Sequence, residues 1–311
     1  MEHKFIRNSG LGFFSDTFNL LHAYMVCKRD NIPFYVNSEQ WTFGHWADYF
    51  TSLTERAHDH MVEKTATECG DADRQFRVID YKEGIREVFT FQPYLLEKAS
   101  EVISGDYVAI FIRRGDKLLG ESLYIPAEHY VTLALQNNPK IIFVQTDDYR
   151  AYLEIREIVT SRCPDLQVIT TCPPNKLGFF YNSLNIHTGR CCAYMIDNNL
   201  VSNTANLEYL ATVAPQKPFT EFTAEETRAH VEEMLVGIII CQKAKSVVLD
   251  HMSNVSRFIA FSHPGGKEAI QAIEDMNIMF APNVPLIPRY DYTDEKYIRN
   301  PRYHSIYNDY I

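Results

Sequence analysis

The chain has 311 residues, 46% of them hydrophobic and 23% charged, with a formal net charge of −10. That composition is ordinary for a globular protein, and the length suits two domains that each bury a core. The acidic balance excludes a surface that holds nucleic acid or anionic membrane non-specifically, and the lack of any run of ~18 apolar residues excludes a membrane-spanning helix.

In chain order the pattern is strand, loop, helix, repeated. Lys4–Arg7 is a short strand; Gly10-Leu-Gly12 follows, then a helix from about Ser15 to Arg29. Its apolar positions Phe18, Leu21, Tyr24 and Met25 recur at helical spacing, and Ser15 or Asp16 can cap its start. Ile32–Val36 is a strand, Glu39 to Phe50 is aromatic-rich, and 55–75 is a polar surface excursion. A second series opens with a strand at Tyr107–Ile112 and a helix over Pro126–Asn137. Ile141–Val144 is apolar without interruption, the mark of a strand covered on both faces in a parallel sheet. Leu166–Thr170 is the next strand. Thr223-Ala-Glu-Glu226 is a capping box, followed by the helical stripe Val231, Met234, Leu235, Ile238 and Cys241. Ser246–Leu249 is a strand, and a helix begins near Ser253. Strands alternating with helices indicate doubly wound α/β units. A boundary near 100–105 gives an N-terminal α/β unit over 1–104, a Rossmann-like unit over 105–281, and a Tyr-, Asp- and Pro-rich tail over 282–311 that can return to the first unit.

The seven cysteines form no Cys-x-x-Cys pair and read as free thiols in a reducing compartment; Cys191-Cys192 are adjacent and bridge poorly. With no apolar signal core in Met1–Arg7, the expectation is a cytoplasmic protein or a soluble piece of a larger one.

The most informative run is Val108-Ala-Ile-Phe-Ile-Arg-Arg-Gly-Asp-Lys117. A buried strand ends and Arg113, Arg114, Asp116 and Lys117 follow at once. Arginine presents a planar fork of donors matched to phosphate oxygens and stays charged at working pH. The cluster reads either as an anion site or as a strand-end set of salt bridges; open α/β sheets bind ligands at the carboxyl ends of their strands, which favours the anion. Glu121, four residues past Lys117, is either a general base for a hydroxyl nucleophile or a solvated loop residue. Asp147-Asp148 after the second buried strand can hold a metal, hold an arginine or cap the next helix; arginine is favoured over metal. Ser253 and Asn254 offer donors to a phosphate at a helix start, or simply cap that helix. Gly10-x-Gly12 lets backbone approach a phosphate or only turns the chain; Ser15 departs from the full G-x-G-x-x-G of a dehydrogenase or methyltransferase. Histidines such as His22, His187 and His263 lack zinc-site spacing, and Trp41, Trp46 and Tyr124 either stack on sugars or fill the core.

Taken together these elements resemble the α1,6-fucosyltransferase type of glycosyltransferase, the nodulation and core fucosyltransferases, and more distantly the protein O-fucosyltransferases. Gly10-x-Gly12 is similar to the family's first loop. Asn37-Ser-Glu-Gln-Trp41 and Trp46-Ala-Asp-Tyr-Phe50 are similar to its tryptophan segment. Ile112-Arg-Arg-Gly-Asp-Lys117 resembles the diagnostic HxRRxDK, with Glu121 and Tyr130 at the spacings seen after it. Gln145-Thr-Asp-Asp148 resembles ATDD, and Ser253, Asn254 and Arg257 fall where the last motif has Ser-Gln and Arg.

The resemblance implies a GT-B architecture, two Rossmann-like parallel-sheet domains facing a cleft, and an inverting, metal-independent transfer with no cofactor. The implied partners are a nucleotide-sugar donor, GDP-fucose first among them, and a glycan acceptor. It makes Arg113, Glu121 and Lys117 catalytic: Arg113 on the departing diphosphate, Glu121 as base, Lys117 linking the two. Gly10, Gly12, Arg113, Arg114, Ser253 and Asn254 would bind the donor, supported by Asp116, Asp147, Asp148, Tyr130 and Arg257. The chain departs from the pattern in three places: Phe111 replaces the motif's histidine, Ser9 replaces a basic residue before the first loop, and Gly237 aligns with an aspartate that reads the guanine edge. Glu233 is the nearest substitute carboxylate, and another donor or a silent nucleotide- or glycan-binding module are the alternatives. Eukaryotic members also carry an anchor, a stem and an SH3-like domain, none visible here, which suits a bacterial or viral enzyme or one domain of a longer chain.

Overall fold

The structure is a computed structural model. It describes residues 3–5, 12–39, 41–55, 62–63, 78–119, 124–182, 193–196, 199–202, 204–250 and 253–273. The elements in order are β1 (His3–Phe5), α1 (Phe13–Arg29), β2 (Phe34–Val36), α2 (Trp46–Tyr49), β3 (Val62–Glu63), α3 (Val78–Val88), α4 (Pro93–Val102), β4 (Val108–Ile112) and α5 (Ala127–Leu135). They continue with β5 (Ile141–Thr146), α6 (Tyr149–Arg162), β6 (Gln167–Thr170), β7 (Ala193–Ile196), β8 (Asn199–Ser202), α7 (Thr204–Ala211), α8 (Ala224–Lys243), β9 (Ser246–Leu249), α9 (Asn254–Ser262) and β10 (Ile270–Ala272).

The protein is α/β, and its centre is a five-stranded sheet in the order β10-β9-β4-β5-β6. Every pairing in it is parallel, with Ala109 opposite both Phe143 and Val247. The near-continuous apolar strands explain the layering. Val108, Ile110 and Ile112 of β4 join Ile142 and Val144 of β5 in a core under α5 and α6. Ala109, Phe111 and Phe143 point the other way, into a larger core roofed by α8 and α9. Both faces are therefore buried, as a parallel sheet requires. The larger core runs on without a break into Phe13, Leu21, Trp46 and Phe50 from the first hundred residues, so apolar contacts cross the expected boundary at 104/105. β2, β1 and β3 form a second, three-stranded parallel sheet there.

Local chemistry sets the ends of the elements. The capping box forms as read: the Thr223 hydroxyl accepts from the Glu226 N–H at 3.2 Å, and the Thr223 N–H donates to the Glu226 carboxylate at 2.7 Å. α1 differs from expectation. It starts at Phe13, capped by Gly12 with no side-chain hydrogen bond, because burying Phe13 and Phe14 draws the helix back past Ser15 and Asp16. Trp41 and Trp46 are core residues, packed at 6.0 Å in an aromatic cluster with Phe13, Tyr49 and Phe50. No described helix is long and apolar enough to cross a membrane. The four described cysteines, Cys27, Cys163, Cys172 and Cys241, are free thiols.

Candidate functional site

From β4 the chain steps outward to β5 and β6, then returns to lay β9 on the opposite side of β4. Loops thus leave the carboxyl ends of β4 and β9 in opposite directions. A parallel sheet opens a crevice at such a reversal, and ligands settle there. Arg113 and Arg114 follow β4, Asp147 and Asp148 follow β5, and Asp250 and Ser253 follow β9.

Arg113 is part-buried and held from two sides. Its guanidinium pairs with Asp147, and with Asp116 at 2.6 Å. Asp147 also accepts the backbone N–H groups of Arg114 at 2.7 Å and Phe179 at 3.0 Å. Asp116 takes the Tyr181 N–H, and its own N–H donates to the Phe179 carbonyl at 2.9 Å. The Phe179 ring lies under Arg113, 5.3 Å away. Gly115 makes this close approach possible: its φ is +58°, and a Cβ there would press into the Phe179 backbone and the Asp147 carboxylate. Lys117 sits in the single 3₁₀ turn Gly115–Leu119 on the same loop.

Arg114 goes elsewhere. Its side chain is 2% exposed and makes a bidentate pair with Glu154 of α6, at 2.9 and 2.7 Å. Tyr124 and Tyr209 pack against each other, and Arg114 lies over both rings at 4.6 and 4.5 Å. Burial lowers its pKa, but the Glu154 hydrogen bonds and the electrostatic pull of Tyr209, Glu154 and Tyr124 together outweigh this and raise it. Asp148, fully buried, caps α6 through the Arg150 N–H at 3.0 Å and pairs with the Arg150 side chain and the Tyr209 hydroxyl at 2.6 Å each. The two aspartates of the pair therefore divide their work: Asp147 fixes Arg113, while Asp148 fixes Arg150 and the ring beside Arg114.

After β9, Ser253 caps α9 by accepting the Ser256 N–H at 3.0 Å. Asn254 donates to the Ser15 hydroxyl of α1 at 3.1 Å, and Phe14 packs on Phe258, so two helix N-termini meet although 239 residues separate the bonded pair. A Cβ added to Gly12 meets no described atom within 4 Å. Arg257 reaches Asn254 at 3.5 Å. Tyr130 is buried in α5 with its hydroxyl 3.4 Å from Asp250.

A further polar group that the sequence reading barely touched lies between β5 and α8. Lys176 pairs with Glu233, whose Oε1 is buried with no hydrogen-bond partner among the described residues. Burial pushes the Glu233 carboxyl above its ordinary value against the pull of Lys176. One turn further along α8, Gly237 lies against the buried Gln145 side chain, which fills the space a side chain at 237 would need. His230, a turn before Glu233, stacks on Phe179 at 4.9 Å and 16°. Burial, aided by the positive charges of Lys176 and Arg113, holds its imidazole well below the usual pKa. No motif marks Glu154, Tyr209, Lys176 or His230; they come from segments tens of residues away from the arginines. Gly10, Glu121 and the tail 282–311 lie outside the described residues.

No protein-family model matches the chain, and no curated protein matches it. Among solved structures it is similar to NodZ alpha-1,6-fucosyltransferase soaked with GDP-fucose, at 12% identity and a TM-score of 0.45, over 85% of this chain and 92% of that one. It is also similar to POFUT1 in complex with GDP, at 9% identity and a TM-score of 0.32, over 79% of this chain and 65% of that one. By its name the first is of the type of transferase that the motifs resemble. At these identities and TM-scores the likeness assigns no residue a role.

Proposed function

We propose that the chain is an inverting glycosyltransferase that moves fucose from GDP-fucose to a hydroxyl of a glycan, with no metal ion in the step. The observation that carries this reading is Arg113 at the carboxyl end of β4, where the strand order reverses toward β9, held between Asp147 and Asp116. A guanidinium fixed in advance costs little reorganisation when charge develops on a leaving group.

In the reaction, Glu121 takes the proton of the acceptor hydroxyl as its oxygen attacks the anomeric carbon. The bond from that carbon to the diphosphate breaks on the opposite face, which inverts the centre. The electron pair leaves on the diphosphate oxygen, where Arg113 stabilises it, and Lys117 links base and phosphate. Ser253, Asn254, Gly10 and Gly12 line the donor site from the helix starts, where backbone N–H groups and the positive dipole ends favour an anion. Arg114 supports the loop from beneath through Glu154 rather than reaching the donor. Glu233 supplies a carboxylate oxygen for the N–H edge of guanine, a role favoured by its buried Oε1.

One observation favours a second reading, the same reaction with another nucleotide-sugar: Gln145 and Gly237 put a carboxamide where the resemblance expects a carboxylate. A panel of GDP, UDP and their sugars, titrated by calorimetry and assayed for transfer, decides among these. GDP-fucose as the best donor, with transfer abolished in Glu121→Gln while the donor still binds, is the expected result. Preference for another nucleotide moves the assignment to that donor. Binding without transfer or donor hydrolysis makes the chain a silent binding module.

A further inference from the structure

We infer that Lys176 is a specificity-determining residue for the donor, its ammonium reading O6 of guanine beside the Glu233 carboxylate. This rests on the reading that the donor is a GDP-sugar whose guanine meets Glu233. Lys176 adds a second group to that reading, and with it a rule for which bases are refused.

Lys176 follows the turn after β6. Its N–H donates to the Pro173 carbonyl at 3.0 Å, and its carbonyl accepts the Tyr149 N–H at 2.8 Å. Two residues on, the Gly178 N–H donates to the Asp147 carbonyl at 3.0 Å. The backbone that carries Lys176 is thus fastened to the start of α6 and to the residue that holds Arg113. The side chain crosses to α8 and pairs with Oε2 of Glu233. Each of the two side chains is 16% exposed, so solvent reaches the pair. Oε1 of Glu233 has no hydrogen-bond partner among the described residues. A chain of contacts links the pair to Arg113: the Phe179 ring is 5.3 Å from that guanidinium and 4.9 Å from the ring of His230, one turn before Glu233. His230 feels the positive charge of Lys176 as well as that of Arg113.

An ammonium beside a carboxylate presents a row of donor, acceptor, acceptor. The edge of guanine is the complementary row, in which O6 accepts while N1–H and N2–H donate. Lys176 on O6, Oε2 on N1–H and Oε1 on N2–H leaves no member of either row unmatched. An ammonium has three donors, so Lys176 keeps Glu233 while it takes O6. A carboxylate turns readily about its last bond, which brings Oε1 to the open side when the base arrives. Adenine and cytosine set an amino group against the ammonium and a lone pair against the carboxylate. Uracil matches at O4 and N3–H but sets O2 against Oε1. A site built to hydrogen-bond its substrate rejects an analogue that leaves those groups unpaired far more strongly than an apolar pocket rejects a wrong size.

The test titrates three nucleotides into the whole chain by calorimetry: GDP, IDP, which lacks the N2 amine, and 6-thio-GDP, in which sulfur, a weaker acceptor, replaces O6. Wild type, Lys176→Met and Lys176→Arg are compared, with melting temperatures alongside. In wild type, IDP and 6-thio-GDP should each bind at least ~5-fold more weakly than GDP. Lys176→Met should lose at least ~10-fold in GDP affinity and bring 6-thio-GDP to within about twofold of GDP, while IDP remains weaker than GDP. Lys176→Arg keeps a donor and should keep the preference for oxygen over sulfur. An ion pair that only stabilises the fold would move the melting temperature and leave the oxygen-to-sulfur ratio alone, so an unchanged ratio in folded Lys176→Met overturns the inference. Equal affinity of wild type for GDP and 6-thio-GDP overturns it with no variant needed, which decides the matter should Lys176→Met not fold. A penalty for IDP without one for 6-thio-GDP removes Lys176 and leaves guanine assigned to Glu233. A wild type that prefers another nucleotide, or binds none, overturns the proposed donor and this inference with it.

Discussion

Asp147 takes the Arg113 guanidinium and the Phe179 N–H on one carboxylate oxygen and the Arg114 N–H on the other, tying the end of β4 to the segment that follows β6. One part-buried side chain thus satisfies three donors from two loops. Asp147→Ala leaves Arg113 and two backbone N–H groups short of an acceptor. Breaking a buried pair from one side costs about 3–5 kcal/mol. Urea denaturation should show a loss in that range, with a smaller one for Asp147→Asn, which keeps an acceptor oxygen. A loss below about 1 kcal/mol for the alanine variant, the scale of an exposed ion pair, contradicts this account of the clamp.

Glu154 has the same hold on Arg114. Glu154→Ala strands a guanidinium that is 2% exposed, and it should destabilise the fold by a further amount in the range of about 3–5 kcal/mol. Replacing both partners, as Arg114→Met with Glu154→Leu, should recover most of that loss, because no charge is then left buried. The recovery in a double-mutant cycle measures the pairing, and its absence removes Arg114 from the supporting role given to it.

Gly115→Ala addresses the contact between the arginine loop and Phe179. The residue sits at φ +58°, and the added methyl meets backbone that cannot swing away. Strain and collision together should cost more than about 2 kcal/mol and weaken nucleotide binding in parallel, as calorimetry and thermal melting would show. Full stability in this variant would mean that the two loops do not pack so closely.

Much of the architecture was legible in the chain. The apolar cores of β4 and β5 and the short run at Ser246–Leu249 mark those strands, and the Thr223–Glu226 box marks the start of α8. The strand-end position of Arg113 was legible for the same reason. The rest was not, for identifiable reasons. α4 is hard to read because it hides only Leu95 and Ala99, and the Ala151, Ile155 and Val159 stripe of α6 is diluted by charged neighbours. Two neighbouring arginines with opposite fates cannot be told apart by type. Arg113 and Arg114 alternate across the strand direction, and what separates them is Glu154, 40 residues away on α6. The fit of Gln145 against Gly237 is likewise a matter of volumes, visible only once β5 and α8 are packed together.

His230 gives the site an acid-labile element. Its folded pKa lies well below the ordinary value, so between the two the unfolded chain binds the proton that the folded chain refuses. Stability from this group is fully present above the unfolded pKa of about 6.5 and falls as pH drops below it, by at most about 1.4 kcal/mol per pH unit. His230→Phe keeps an aromatic partner for Phe179 and should flatten the denaturation midpoint between about pH 5 and 6.5. His263, whose pKa is also lowered by burial, contributes a remainder of the same sign in both proteins. An identical slope in wild type and variant would place the His230 ring in contact with water.

The central claim is that Arg113 grips the diphosphate of a nucleotide-sugar at the end of β4. Titrating GDP-fucose and GDP into wild type and Arg113→Ala by calorimetry tests it most directly. The expected result is affinity at least ~100-fold weaker in a variant that still melts cooperatively, equivalent to about 2.8 kcal/mol. The same Kd in both folded proteins would contradict the claim and move the ligand away from that loop.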